Sequence, residues 1–149
     1  MRRSIGPWCT IALVWVGVGC GATTGPEAIP GSYSLQAIDT LTLPTAIPVT
    51  TTCEVLLSPA ACAETVRLEV REGTVRLDAD STYLIQTLLR RHLSSGAQTQ
   101  VTSSLRGLWS LQGSQIALVD TLGTRRTGAL FGNLLTIDVV ENMNWVYRK

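Results

Sequence analysis

Few side chains in this sequence of 149 residues could support catalysis. His92 is the only histidine, and its position after Arg90 and Arg91, at the end of a strand, predicts a solvated loop residue rather than a general base. Serines are frequent, but none lies in the Gly-x-Ser-x-Gly pattern of a nucleophile elbow. The sequence also lacks a phosphate-binding loop and a dinucleotide fingerprint. We therefore expect no enzyme activity and no cofactor.

Two pairs of charged residues could bind ligands. Asp78 and Asp80 could form a carboxylate pair or part of a calcium shell, but turn formation is the simpler interpretation because no further carboxylates cluster beside them. Arg125 and Arg126 could contact a phosphate or a lipid headgroup, although a solvated hairpin tip is the simpler interpretation. No metal site is expected.

The four cysteines differ in the chemistry that their positions allow. Cys9 lies within the apolar N-terminal segment, and Cys20 directly follows it. Cys53 and Cys62 are nine positions apart, and in an exported chain they predict a disulfide worth about 2–3 kcal/mol. A metal-binding pair is the alternative, but a single histidine supplies too few further soft ligands.

The first twenty residues have the organisation of an export signal. Arg2 and Arg3 precede an apolar stretch over Trp8–Val18, which is shorter than the ~20 residues that a membrane span needs. The small residues leading to Gly19 and Cys20 resemble the lipobox of bacterial lipoproteins, in which the thiol receives a diacylglycerol and becomes the mature N-terminus.

This resemblance implies a signal peptide over residues 1–19 and a palmitate-bearing anchor at Cys20. The branched residue of the lipobox lies one position early, at Val16, with Gly17 in its place. The implied location is the cell envelope, on the outer side of a membrane, and Gly21 is compatible with outer-membrane sorting. The alternatives are a secreted protein with Cys20 unmodified and twin-arginine export, for which most of the motif is missing.

Composition fits one folded domain behind a tether. Residues 20–30 are rich in Gly, Ala, Thr and Pro, which predicts a flexible linker. Residues 31–149 are long enough for one hydrophobic core. The formal charge of +1 includes both signal arginines, so the chain lacks the concentrated basic surface that nucleic acid requires.

From Gly31 onward, apolar and polar residues alternate with a period of two, which is typical of half-buried strands. Turn residues separate these stretches at short intervals, and we expect about eight to ten strands and no helix. The segment from Pro44 through the cysteine pair is expected to be irregular. Predicted inward residues are Tyr33, Leu35, Ala37, Val66, Leu68, Val70, Val75 and Leu77. Predicted turns are Glu72-Gly73, Asp78–Ser81, Gln112–Ser114, Leu122–Thr124, Gly132-Asn133 and Glu141–Asn144.

A short internal repeat connects two of the predicted strands. The segment Gly31–Gln36 matches Gly107–Gln112 at four of six positions. We expect each glycine to open a strand and to permit close approach of a neighbouring backbone, with Tyr33 or Trp109 filling the core beneath it.

The chain resembles the small lipocalin-like domains of uncharacterised bacterial lipoproteins. The resemblance implies an all-β fold, a small antiparallel up-and-down barrel, and no enzyme activity. It defines no binding residues. Asp80-Ser81-Thr82 replaces the family's usual Asp-Gly-Thr, which alters a turn and not the fold. The segments that carry the resemblance are Gly31–Leu35, Leu43-Pro44, Gly73–Leu77, Asp80–Tyr83, Gly107–Leu111, Gly132–Thr136 and Trp145–Arg148.

Two functions fit these observations. The barrel could hold a small apolar ligand in its mouth, as lipocalin-type barrels do. Alternatively, a filled barrel could act through its surface as an envelope interaction or assembly module, for example as an inhibitor of a hydrolase. Tyr33, Trp109 and Trp145 would line a pocket in the first case and form core in the second.

We predict that Cys20 carries the membrane anchor. Cells that express the protein in the presence of labelled palmitate should label the wild-type chain but not Cys20→Ala, because the substitution removes the only thiol at the cleavage point. Gel autoradiography of the purified chains measures the label. Equal labelling of both chains, or none in the wild type, would reject the anchor.

Overall fold

Ten strands and two short helices make up the part of the chain that the computed structural model describes, residues 29–140 and 142–149. The strands are β1 Gly31–Ile38, β2 Leu41–Thr42, β3 Thr45–Ile47, β4 Thr65–Leu77, β5 Thr82–Leu93, β6 Gln98–Gln112, β7 Gln115–Asp120, β8 Arg125–Phe131, β9 Leu134–Val140 and β10 Met143–Arg148. The helices are α1 Val49–Leu56 and α2 Pro59–Ala63. Neither helix has the length and apolar content of a membrane span.

Eight of the strands close into an antiparallel barrel. Strands β4 to β10 each pair with their neighbour in sequence, and β1 completes the circle by pairing with both β4 and β10. The two-residue β2 and the three-residue β3 extend the sheet beside β1 and β4. This arrangement confirms the predicted all-β, up-and-down barrel.

Large side chains fill the interior of the barrel. Trp145, Tyr33 and Tyr147 are the largest of the fully buried residues, and nine isoleucines and leucines are buried to the same degree. Burial of such side chains is the main favourable contribution to folding, at about 1.5–3 kcal/mol each. An eight-stranded barrel has an interior just wide enough to be filled in this way.

Bulges change which residues face the core in two strands. The predicted turn at Glu72-Gly73 is wrong, because β4 runs through it and accommodates the extra residue Arg71 as a break in register with β5. A second break at the start of β4 leaves Val66 exposed, contrary to the predicted inward position. In β1, a bulge at Gln36 turns Ile38 into the core.

The prediction of no helix is also wrong. The threonines of α1 have low helix propensity, but Thr52, Cys53 and Leu56 are buried against the barrel, where the helix contacts β4, β6 and β9. Helix α2 begins with local signals, because the Ser58 hydroxyl accepts a hydrogen bond from the Ala61 amide and Pro59 occupies the first turn.

The predicted disulfide between Cys53 and Cys62 is confirmed. It joins α1 to α2, with the two Cα atoms 5.5 Å apart. The side chain of Arg91 fixes α2 to the barrel, since its guanidinium donates to the Ala61 carbonyl at 2.6 Å and to the Thr65 hydroxyl at 2.9 Å. The helical segment is therefore held to the barrel both by apolar burial and by hydrogen bonds.

The two segments of the internal repeat occupy different positions within their strands. Gly31 opens β1 as predicted, whereas Gly107 lies in the middle of β6. Gly107 still permits a close backbone approach: a Cβ there would overlap the Val119 carbonyl oxygen and lie 2.7 Å from the Asp120 Cα. These contacts are with the backbone of β7, which cannot rotate away from an added Cβ as a side chain could.

We predict that Gly107→Ala destabilises the barrel by about 3 kcal/mol, the upper end of the usual cost of overpacking. Gly73→Ala is the matched control, because its Cβ would meet the Leu35 side chain, with the nearest atom at 2.9 Å, and that side chain can rotate away. Urea unfolding followed by tryptophan fluorescence measures both. A larger loss for Gly73→Ala than for Gly107→Ala would contradict this account.

Candidate functional site

The aromatic residues singled out in the sequence lie at different depths. Tyr33 and Trp145 are fully buried, and the Tyr33 hydroxyl donates to the Ile29 carbonyl at 2.8 Å. Trp109 is partly buried and packs against the same core, while its Nε1–H donates to the Asp78 carbonyl at 3.0 Å. Trp109 therefore joins β6 to the β4–β5 turn.

Two polar atoms inside the barrel have no hydrogen-bond partner among the described residues. They are the hydroxyl of Tyr147 and the Nε1–H of Trp145. Burial raises the pKa of Tyr147 above its ordinary value, so its phenol stays neutral. Both atoms lie in an interior that is mainly apolar but also buries Thr87, Ser103 and Arg126.

A buried ion pair lies on the inner side of β7 and β8. Arg126 Nη1 is 3.0 Å from Asp120 Oδ2, and the two side chains are only 8% and 9% exposed. Arg126 Nε also donates to the Val139 carbonyl at 3.1 Å. The other carboxylate oxygen of Asp120 accepts the amides of Leu122 and Thr124, each at 2.9 Å. One pair thus ties the β7–β8 turn to β9.

The pKa values of the neighbouring groups follow from this arrangement. Burial raises the pKa of Asp120, but the hydrogen bond from Arg126, the two backbone amides and the guanidinium charge outweigh it, so the pKa lies below its ordinary value. Burial also raises the pKa of Tyr83, an effect that the charge of Arg126 opposes. Asp120 is therefore ionised and Tyr83 neutral at physiological pH.

The interpretation of Arg125 and Arg126 as a solvated hairpin tip is wrong for one of the two residues. Both begin β8, in which alternate side chains face inward: Arg126, Gly128 and Leu130 line the inner face, whereas Arg125 is exposed. Period-two alternation counted back from Leu130 could have identified the inward arginine. Its partner could not be found in this way, because pairing with Asp120 depends on the turn.

The other candidate residues do not converge on one site. His92 lies within β5 rather than in a loop, and its Nε2 is 3.3 Å from Oε1 of Glu69 on the neighbouring strand. Asp80 Oδ1 accepts the amide and the hydroxyl of Thr82, at 3.0 and 2.6 Å, and so shapes the β4–β5 turn. Among the described residues, no three potential metal ligands lie together. Cys20 lies outside the described residues.

Three grooves on the barrel are lined mainly by outward-facing residues. The largest, of about 690 Å³, is polar and lies near Arg125 and Asp138. A groove of about 310 Å³ crosses β6 to β8. The third, of about 440 Å³, lies between Leu84 and Leu108 and is the most apolar of the three. The grooves on the surface therefore offer more space for a ligand than the packed interior of the barrel does.

Comparison with known proteins gives little further information. No protein-family model matches the chain, and no curated protein is significantly similar to it. Among solved structures, the Cpx pathway activator NlpE from Escherichia coli matches 51% of this chain and 36% of its own, with 21% identity and a TM-score of 0.36. The match thus spans about a third of that protein, and a similarity this weak supports no argument about function.

We predict that Asp120→Asn lowers the free energy of unfolding by about 3 kcal/mol, because it leaves the guanidinium of Arg126 buried without a counter-charge. The double variant Asp120→Asn/Arg126→Met should lose less than the sum of the single changes, since it removes both charges. Because the pKa of Asp120 is lowered on folding, its contribution is complete above about pH 4 and is lost as the pH falls through the folded-state value.

Urea unfolding at a series of pH values measures these effects, with Asp138→Asn as the control because Asp138 is an exposed residue of β9. The difference between wild type and Asp120→Asn should shrink on acidification, whereas Asp138→Asn should stay close to wild type throughout. Strict additivity of the two single changes would argue against a coupled pair.

Proposed function

We propose that this protein is an exported lipoprotein, anchored through Cys20, whose barrel works as an interaction or assembly module of the cell envelope. The observation that carries the proposal is the filled interior. Trp145, Tyr33 and Tyr147 occupy the space in which a lipocalin-type barrel would hold its ligand. A barrel without this space must recognise its partners through its outer surface or rim.

The ends of the barrel support the same interpretation. Helix α1 buries Cys53 and Leu56 against the barrel, and the disulfide and Arg91 hold the helical segment there. The pair of Arg126 and Asp120 fixes the β7–β8 turn to β9. These contacts favour a rigid scaffold, which is what a module with a fixed recognition surface requires.

A non-enzymatic role is part of the proposal. Its support is the placement of the groups that catalysis would use. His92 contacts the carboxylate of Glu69, which also lies near Arg90. The partner of this histidine is therefore a carboxylate within an ion-pair cluster and not a serine or cysteine nucleophile. Asp78 contacts Arg76, and Asp80 serves a turn.

The small apolar ligand is the competing function, and it would require Tyr33 or Trp145 to move out of the interior. We predict that the protein purified from its native membrane carries no stoichiometric lipid apart from its covalent anchor. Organic extraction followed by mass spectrometry measures the bound lipid, with the detergent extract of the same membrane as the reference. If one lipid per chain is retained after exchange into a second detergent, the protein is a lipid carrier and the proposal of an interaction module is rejected.

A further inference from the structure

One outward face of the barrel carries an apolar patch. Leu108 on β6 is 61% exposed and lies opposite Val119 on β7, which is also exposed. Leu84 on β5 lines the groove of about 440 Å³ together with Leu108. Leu122, in the turn beyond Val119, is 91% exposed. Outward positions of a barrel in water are normally polar, so adjacent exposed aliphatic residues indicate a surface that something covers.

Arginines surround this apolar patch. Across the sheet, Leu84 lies between Arg76 and Arg106, and Val119 lies opposite Arg125. Asp78 pairs with Arg76 at 3.1 Å. No described carboxylate is within salt-bridge distance of Arg106 or Arg125. The surface therefore combines aliphatic side chains with unpaired positive charge, which matches an anionic amphiphilic partner.

The chain enters the barrel beside the patch. Gly31 is paired with Leu77, and Ser32 is paired with Arg76, which is the strand neighbour of Leu84. Neighbouring strands are about 4.8 Å apart, so the start of β1 lies roughly 10 Å from Leu84. From Cys20 to Gly31 the chain can extend at most ~40 Å. An anchor at Cys20 would therefore hold the domain near the membrane by a chain that leaves the barrel beside the patch.

We propose that the face formed by Leu84, Leu108, Val119, Arg76, Arg106 and Arg125 rests on anionic phospholipid headgroups of the membrane that holds the anchor. The inference rests on the proposed function, because the tether supplies the proximity. The leucines would enter the headgroup region, and the unpaired Arg106 and Arg125 would contact phosphates. The barrel would then lie on its side, and its opposite face would be presented to partners.

The experiment places a polarity-sensitive dye at Leu108→Cys in the exported chain, with Cys20→Ser so that no anchor contributes. Vesicles are phosphatidylcholine, with or without an equal share of phosphatidylglycerol. Anionic vesicles should shift the dye emission to the blue and protect it from iodide. Val66→Cys is the matched control, because Val66 has the same 61% exposure and lies at the start of β4, away from the patch. Its dye should stay accessible.

Arg106→Gln should raise the lipid concentration for half-saturation about fivefold, the effect of one arginine at an anionic surface. Arg67→Gln, which removes an exposed arginine outside the patch, should leave it unchanged. Equal responses at positions 108 and 66, or no effect of phosphatidylglycerol, would overturn the inference. A dye at position 108 that is already protected without vesicles would also overturn it and assign the patch to a second copy of the chain.

The proposed function and the membrane-facing surface can be rejected independently of each other. This titration uses a chain that lacks Cys20, so it does not depend on lipidation, whereas the palmitate experiment tests the anchor without reference to the patch. If Cys20 is labelled but the dye at position 108 does not respond to anionic vesicles, the proposed function is retained and the membrane-facing surface is rejected.

Discussion

The pairing of β1 with both β4 and β10 is the constraint on which the rest of the structure depends. It converts a meander of strands into a closed barrel and leaves no free edge at the junction of the first and last strands. Beyond the segment that joins β1 to β4, β1 bulges at Gln36 in its pairing with β10, and β4 bulges at Arg71 in its pairing with β5. The bulges let the strands bend, and they reset which side chains enter the core.

Closure also fixes the volume of the interior. With eight strands the barrel is just wide enough to be filled by side chains, and here Trp145, Tyr33 and Tyr147 provide much of that filling. Where backbones come too close for any side chain, as Gly107 does to Val119, the inward position is a glycine. The apolar lining is interrupted by the polar atoms of Trp145 and Tyr147, by the hydroxyls of Thr87 and Ser103, and by the pair of Arg126 and Asp120.

Under the proposed function, recognition takes place at the surface of the barrel, and this surface is not uniform. One face combines Leu108 with unpaired arginines and lies next to the point at which the chain enters the barrel. If the chain is anchored there, geometry divides the molecule into a face toward the membrane and a face toward the envelope. The tether would limit the reach of the domain, and contact of this face with the membrane would orient it.

The sequence by itself determined the class of fold, because period-two alternation and turn residues act locally along each strand. It also predicted the pairing of Cys53 and Cys62, which the structure confirms; the export signal, inferred from the composition of the first twenty residues, stays a prediction. It did not reveal the bulges in β1 and β4, helix α1, or the burial of Arg126. Each of these depends on contacts between distant segments: the register imposed by closure, the apolar surface that buries Cys53 and Leu56, and the carboxylate of Asp120. Whether the interior was hollow or filled was likewise decided only in the tertiary structure, because strand tilt and bulges set how the inward side chains of different strands meet.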